Sequence, residues 1–203
     1  MIDWPAISAA IGSATRQPFQ IIVHDATGGG CINQTFRIRG QDGRQFFVKL
    51  NDAHHLPMLI SEAAGLNTIA GTQMIRVPQP VAHGTTDVHS FLVLEYLELG
   101  NRGDARLLGK QLAALHRCTS TRFGFAQDNF IGTTPQPNAW MDDWVTFWRE
   151  QRIGFQLRLA AQNGYGGRLQ TLCAHRSPAK LSPQCATVSA SIKPGCVTSH
   201  TPA

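Results

Sequence analysis

The chain has 203 residues, of which 42% are hydrophobic and 15% charged, and its formal net charge is +5. No run approaches the roughly 18 consecutive apolar residues of a membrane-spanning helix, so the composition favours a globular protein of one or two lobes with no membrane partner. All 13 acidic residues lie in the first 150 positions, and the positive excess belongs to the remainder. Lys and Arg do not cluster with aromatic residues, and we therefore expect no nucleic-acid partner.

The N-terminal segment and the cysteines indicate the compartment. The stretch MIDWPAISAAIGSATRQ has no basic region followed by an apolar one, which argues against a secretory signal and favours a cytoplasmic protein. The five cysteines are odd in number and contain no CxxC pair. We therefore expect reduced thiols, with neither a disulfide framework nor a zinc site.

The first elements in chain order are predicted strands. β-rich runs occupy residues 19–23 and 35–39, on either side of three consecutive glycines at 28–30. The pair Asp42-Gly43 predicts a hairpin turn, because these residues tolerate the positive φ angles of tight turns. A third run, QFFVKL at 45–50, follows the turn. The pattern predicts three antiparallel strands.

Helices and two more strands follow. A helix is predicted from Pro57 to Gly71, then two strands within MIRVPQPVAHG and SFLVLEYLEL, the second buried because its apolar run is continuous. Asp104 is a predicted cap for a helix over 105–117. An irregular stretch precedes a long aromatic helix from about Asp142 to Ala161. After Thr171 the prolines and the loss of any apolar period predict disorder.

Lys49 is the first candidate functional residue. An ammonium group among apolar strand residues needs an anionic partner or a path to water, and Glu62 in the next helix is a candidate partner. The glycines before the second strand can bring backbone N–H groups close to phosphate oxygens. Taken one at a time, these features also fit a plain hairpin, an exposed lysine and an exposed helix glutamate.

The order of these features is more specific than each alone. A glycine loop, a lysine in the third strand, a glutamate in the next helix and a buried strand ending in LEYL follow the order of a protein-kinase-like ATP-binding lobe. Lys49 would then contact the phosphates, Glu62 would position it, and the backbone of Glu95, Tyr96 and Leu97 would bind adenine. The alternative for this last run is a plain strand end.

Longer segments carry a more specific pattern: GGCINQTFRI at 29–38, FFVKLN at 46–51, SEAAGL at 61–66, RVPQPVAHG at 76–84, FLVLEYLELG at 91–100, LGKQLAALHR at 108–117, FGFAQDNFIGTTPQPNAWMDDWVTFWREQRI at 123–153 and QLRLA at 156–160. Together, over roughly residues 19–168, they resemble one family, the fructosamine (ketosamine) kinases. The Thr-Pro-Gln-Pro-Asn segment and its Trp-x-x-x-Trp continuation carry the most weight.

The resemblance implies an α+β, protein-kinase-like fold of two lobes, related to aminoglycoside phosphotransferases. It implies an ATP-binding lobe over 1–97 with an antiparallel sheet and a helix, a partial helical lobe over 98–168, and an aberrant tail over 169–203. It also implies ATP and Mg²⁺ as cofactors, and phosphorylation of ketoamine-modified small molecules or proteins. The ATP-binding positions it implies are Gly29, Gly30, Cys31, Asn33, Lys49, Glu62, Glu95, Tyr96 and Leu97.

The catalytic part of the family pattern is missing. The resemblance implies a His-Gly-Asp loop and an Asp-Pro segment after the aromatic helix, yet no acidic residue follows Glu150. We therefore assign no catalytic and no metal-binding residue, and expect no catalytic competence. One hypothesis is an interrupted or frameshifted ending after about residue 168, and the alternative is a genuine short protein. An ATP-binding pseudokinase or regulatory fragment, and an unstable truncated product, are the other interpretations.

Cys31 lies within the predicted phosphate loop. Neighbouring N–H dipoles could favour its thiolate, which would make it a redox-sensitive thiol able to link two chains as a disulfide-linked dimer. The simpler interpretation is an unreactive small side chain that fills the loop.

Overall fold

The computed structural model describes residues 1–28, 32–100, 103–167 and 171. The chain divides into two compact units, Met1–Gly109 and Lys110–Ala203. The predicted disordered tail lies outside the described residues. The lobe boundaries given above stay a prediction.

The first unit is built on a five-stranded antiparallel sheet. Its strand order is β1-β2-β3-β5-β4. The bounds are β1 Ile21–Thr27, β2 Gln34–Gly40, β3 Gln45–Asp52, β4 Pro80–Thr85 and β5 His89–Glu95. The predicted strands are therefore confirmed, although β1 begins later and extends further than residues 19–23. Phe19 precedes it and packs edge-on against Phe46 instead.

The turn between β2 and β3 is the predicted Asp-Gly hairpin. Gly43 has a φ of 84°, which is strained for any residue with a Cβ. The backbone N–H of Arg44 donates to Oδ1 of Asp42 at 3.0 Å. This turn fixes the register in which Thr35 of β2 lies opposite Lys49 of β3.

One face of the sheet is covered by a helix that the sequence analysis did not assign. This helix, α1, spans Trp4–Thr15, and Asp3 caps it by accepting from the N–H of Ala6. Its buried residues Ile7 and Ile11 pack against the sheet core. The core residues of this layer are Ile38, Phe46, Val48, Leu50, Phe91 and Val93.

The opposite face of the sheet is covered by α2, Leu56–Gly71, which confirms the predicted helix. A short 3₁₀ turn, Ala53–His55, joins it to the end of β3. Leu59 and Ala63 of α2 form a second core with Leu92 and Leu94. The half-buried Phe47 packs against this core, so the α2 face of β3 includes Phe47 and, two residues on, Lys49.

α3, Ala105–His116, begins as predicted after Asp104, whose carboxylate accepts from the N–H groups of Arg106 and Leu107. The second unit then contains a two-stranded hairpin, β6 Asn129–Ile131 and β7 Thr134–Gln136. The sequence predicted an irregular stretch here, so the hairpin is a difference from that prediction.

The predicted long aromatic helix is present as three consecutive segments. These are α4 Trp144–Phe147, a π-helical turn Trp148–Gly154 and α5 Phe155–Gln162. Asp143 caps α4, and Phe147 is its buried residue. A β-bridge between Phe123 and Met141 closes the loop that leads into it.

Within the described residues, no helix is long and apolar enough to cross a membrane.

Candidate nucleotide-binding site

Lys49 and Glu62 form an ion pair in the first unit. Nζ of Lys49 lies 2.5 Å from Oε1 of Glu62. Both side chains are half-buried, with 24% and 31% of their surface exposed. Because Lys49 projects from the α2 face of β3, its ammonium group meets the helix rather than the apolar layer beneath α1. The strand carries a lysine here because a carboxylate of the covering helix compensates its charge.

The predicted phosphate loop joins β1 to β2. Gly29, Gly30 and Cys31 lie outside the described residues, so their predicted roles stay predictions and the structure gives no support to a dimer linked through Cys31. The base of the loop is described. Oγ1 of Thr35 donates to the carbonyl of Thr27 at 2.6 Å, which closes the two strands where the loop begins.

Asn33 is held by a residue to which the sequence analysis gave no role. Nδ2 of Asn51 donates to Oδ1 of Asn33 at 2.7 Å and to the carbonyl of Ile32 at 3.3 Å. Asn51 follows Lys49 by two residues in β3 and therefore shares its face of the strand. The same strand thus supplies the lysine and the anchor of the predicted loop. The strand period and the position of Asn51 in the sequence could have indicated this.

The predicted hinge follows β5. The N–H of Glu95 donates to the carbonyl of Gln79 at 2.8 Å, and Oε1 of Glu95 accepts from Arg76 at 2.5 Å. Oε2 of Glu95 is buried and has no hydrogen-bond partner in the described part of the chain. No backbone hydrogen bond of the described residues uses the N–H of Tyr96 or Leu97. These two N–H groups are therefore available to donate hydrogen bonds to a nucleotide base.

Arg37 of β2 lies next to the predicted hinge, and nothing in the sequence indicated this. Its guanidinium lies 6.0 Å from the centre of the Tyr96 ring and 2.7 Å from Oδ2 of Asp25. The hydrogen bond with Asp25, and then the hydrogen bond with Tyr96, raise the pKa of Arg37 above its usual value. Arg37 of β2 therefore lies beside the predicted hinge.

The Thr-Pro-Gln-Pro-Asn segment has a structural role in the second unit. The Arg152 guanidinium donates to the carbonyl of Pro137 at 2.5 Å and to Oδ1 of Asn138 at 2.6 Å, and lies 4.6 Å from the Phe147 ring centre. Asn138 is buried, and its N–H donates to Oδ1 of Asp128 at 2.7 Å. Burial lowers the pKa of Arg152, and the charge of Asp128 partly opposes this effect. The motif therefore ties the loop to the aromatic helix.

The antiparallel sheet, the helix that packs on it and the lysine-glutamate pair define the fold as kinase-like. The family model for fructosamine kinase matches residues 3–189, and the chain belongs to this family. The match begins before residue 19 and so includes α1, which the resemblance over residues 19–168 did not cover.

Curated relatives support the assignment. A protein of Synechocystis sp. described as a probable ketoamine kinase is 48% identical over 161 residues, which are 77% of this chain and 54% of the relative. The chloroplastic protein-ribulosamine 3-kinase of Arabidopsis thaliana is 41% identical over 151 residues, 72% of this chain and 46% of the relative. The chain spans about half the length of these relatives.

Solved structures agree on the fold. A crystal structure described as that of a fructosamine-3-kinase from Haemophilus somnus matches with a TM-score of 0.73 and 27% identity, over 86% of this chain and 63% of that chain. A second such structure, from Thermobifida fusca, matches with a TM-score of 0.65 and 26% identity, over 80% and 56% of the two chains. The predicted fold class is therefore confirmed.

Proposed function

We propose that the first unit binds ATP in the manner of a ketoamine kinase, with Lys49 as the phosphate ligand and Glu62 as the residue that positions it. The observation that carries the proposal is the 2.5 Å ion pair between the two side chains. A half-buried ammonium group held in this way is preorganised to contact phosphate oxygens, because its orientation is fixed before the nucleotide arrives.

The remaining contacts follow from the loop and the hinge. Asn51 anchors Asn33, and the glycine segment next to it would cover the phosphates with backbone N–H groups. The N–H groups of Tyr96 and Leu97, which no backbone hydrogen bond of the described residues uses, would contribute to adenine binding. Two relatives are described as a probable ketoamine kinase and a protein-ribulosamine 3-kinase. The whole protein would then phosphorylate a ketoamine sugar, either on a lysine of a glycated protein or on a ketoamine-modified small molecule. This reaction would serve protein deglycation in the cytoplasm.

Mg²⁺ fits the described residues less well than ATP does. Hard cations of this kind prefer carboxylate and water ligands, often with substrate phosphates. The cluster of potential metal ligands found in the described residues is Asp52, His54 and His55, of which two are imidazoles. No acidic residue follows Glu150 in the sequence. A magnesium ion would therefore be held chiefly by the nucleotide itself.

Isothermal titration of the whole chain with ATP and magnesium tests the proposal. We expect saturable binding, weakened at least about tenfold by Lys49→Met, because one charge-assisted hydrogen bond contributes about 1.5–3 kcal/mol. Glu62→Gln should weaken binding less, since it leaves the ammonium group in place but frees its orientation.

The matched control is Lys110→Met, which removes the other lysine of the described residues from an exposed position on α3. It should bind ATP like the unchanged protein. If Lys49→Met binds ATP as tightly as Lys110→Met does, the ion pair is structural only and the proposal is wrong.

A second candidate function is ATP binding without phosphoryl transfer, as in a pseudokinase or regulatory fragment. The observation that favours it is the absence of Asp and Glu after Glu150, since phosphoryl transfer needs carboxylates to orient the acceptor and the metal. An assay of fructoselysine phosphorylation separates the two candidates. Transfer that depends on Lys49 supports a kinase, whereas binding with no transfer supports the second candidate.

A further inference from the structure

We propose that Asp52, His54 and His55 form a binding site for a divalent transition-metal ion, of which Zn²⁺ is the probe, at the turn between β3 and α2. One potential ligand atom from each of the three side chains lies within 4.8 Å of the other two. The proposal is independent of nucleotide binding, because none of the three residues belongs to the predicted ATP site.

Within the part of the chain that the structure describes, the Asp52 carboxylate and Nδ1 of His55 have no competing partners that would keep them from a metal. No hydrogen bond or ion pair of the described residues uses the Asp52 carboxylate. Nδ1 of His55 is buried and has no hydrogen-bond partner in the described part of the chain. A buried polar atom of this kind requires an explanation, and a bound ion that also fixes the imidazole ring is one.

The backbone of the turn is already anchored. Oγ of the buried Ser90 donates to the carbonyl of Asp52 at 2.8 Å, and the N–H of Ala53 donates to the carbonyl of Val88 at 3.0 Å. Both bonds attach the turn to the beginning of β5. The rings of His54 and His55 are already neighbours, with their centres 3.9 Å apart.

Only side-chain rotation is needed to complete the site. Ligand atoms that lie about 2.0–2.2 Å from a tetrahedral zinc ion are roughly 3.4 Å from each other. Asp52 and His54 are exposed and can rotate to close the remaining gap, while the half-buried His55 provides the fixed point. Water would complete the coordination.

The donor set selects the class of metal. Imidazole nitrogen suits zinc, copper, nickel and iron, whereas magnesium and calcium prefer oxygen ligands. Two imidazoles and one carboxylate therefore favour an ion such as Zn²⁺ over Mg²⁺. The carboxylate also offsets the partial positive charge at the beginning of α2, where the cluster lies.

Metal binding at this turn would link the two elements that carry the Lys49–Glu62 pair. β3 ends at Asp52 and α2 begins at Leu56. An ion that bridges this connection would hold the start of α2 to the end of β3 and stabilise the folded unit. The site thus offers a structural or regulatory clamp in the N-terminal unit.

Titration of the nucleotide-free whole chain with ZnCl₂ by calorimetry tests the proposal, after its thiols have been alkylated so that cysteines cannot bind the ion. We expect binding that is saturable and that raises the midpoint of thermal unfolding. His54→Gln and Asp52→Asn should each weaken it by at least about tenfold, since changes beyond the direct ligands already cost 10–100-fold. Both residues are exposed, so the fold should tolerate these changes.

The matched control is His83→Gln, an exposed histidine on β4. It should leave zinc affinity and the thermal shift unchanged. The absence of saturable zinc binding would overturn the proposal. The same conclusion would follow if His83→Gln weakened binding as much as His54→Gln does, because the ion would then bind histidines without selectivity.

Discussion

At the scale of single residues, the side-chain alternation of β3 explains the candidate site. Val48 and Leu50 are buried in the layer beneath α1, and Lys49 and Asn51 therefore emerge on the other face. The two polar residues serve different parts of the site, because Lys49 pairs with α2 and Asn51 holds the loop base. A one-residue shift of register would exchange the two faces and destroy both interactions.

Asn51 provides a prediction at this scale. Asn51→Ala removes the hydrogen bonds to Asn33 and to the carbonyl of Ile32, so the base of the loop loses its anchor on β3. We expect ATP affinity to fall several-fold with a loss of stability of about 1 kcal/mol, the usual net contribution of a hydrogen bond. Calorimetric ATP titration and urea unfolding measure the two effects separately.

The control for this prediction is Asn67→Ala, which truncates an exposed asparagine on α2. It should leave both the ATP affinity and the free energy of unfolding nearly unchanged. Equal ATP affinity in Asn51→Ala and Asn67→Ala would show that the anchor has no part in nucleotide binding.

At the scale of elements, the start of the aromatic helix depends on one capping residue. Oδ1 of Asp143 accepts from the N–H of Thr146 at 2.8 Å and from its hydroxyl at 2.7 Å. These bonds lower the pKa of Asp143 below its usual value, the side-chain bond to Thr146 being the larger cause. The cap places α4 so that Trp144 stacks with Phe147.

The lowered pKa predicts a pH dependence of stability. A carboxyl group whose pKa is depressed on folding stabilises the protein above its unfolded pKa, and this contribution is lost as the pH falls through the folded pKa. We therefore expect acidification below the usual aspartate range to weaken the cap. Thermal unfolding followed by tryptophan fluorescence from pH 7 to acid pH measures the effect.

Asp143→Ser is the matched variant, because serine caps a helix without titrating in this range. Its unfolding midpoint should fall less on acidification than that of the unchanged protein. Parallel acid profiles for the two proteins would contradict a role of Asp143 in the pH dependence.

At the scale of the whole molecule, the N-terminal unit is a sheet covered on both faces by helices. Ile7 and Ile11 of α1 cover one face, while Leu59 and Ala63 of α2 cover the other. The candidate nucleotide site belongs to the α2 side. The α1 side contributes packing.

This architecture predicts that α1 contributes strongly to stability. Ile11 is fully buried, and Ile11→Ala should lower the free energy of unfolding by about 2–5 kcal/mol through lost contacts and the cavity left behind. Ile22→Ala makes the same chemical change at a position that is 55% exposed and should cost much less. Urea unfolding of both variants measures the difference, and similar costs would contradict a packing role for α1.

The sequence predicted most of the first unit because its local signals were strong. Asp42-Gly43 specified the hairpin, Gly71 marked the end of α2, and the order of loop, lysine and glutamate indicated the ion pair. α1 was not assigned because its N-terminal segment was considered only as a targeting signal, although Asp3 and the spacing of Ile7 and Ile11 indicate a capped amphipathic helix.

The parts that could not be predicted depend on contacts distant in the sequence. The contact of Arg37 with Tyr96 exists only because β2 and β5, which are far apart in the chain, belong to the same sheet. The short hairpin of β6 and β7 lacks a clear alternating pattern, and its three-residue strands are below the length at which periodicity is informative.

The strand order puts β3 in the middle of the sheet, with β2 on one side and β5 on the other. Lys49 lies opposite Thr35 of β2 and opposite Leu92 of β5, so its strand is paired on both sides. Fraying begins at sheet edges, where the backbone has a neighbour on one side only, and reaches a central strand last. A ligand that binds at Lys49 would therefore contact an ammonium group on a rigid central strand, even while the edge strands fluctuate.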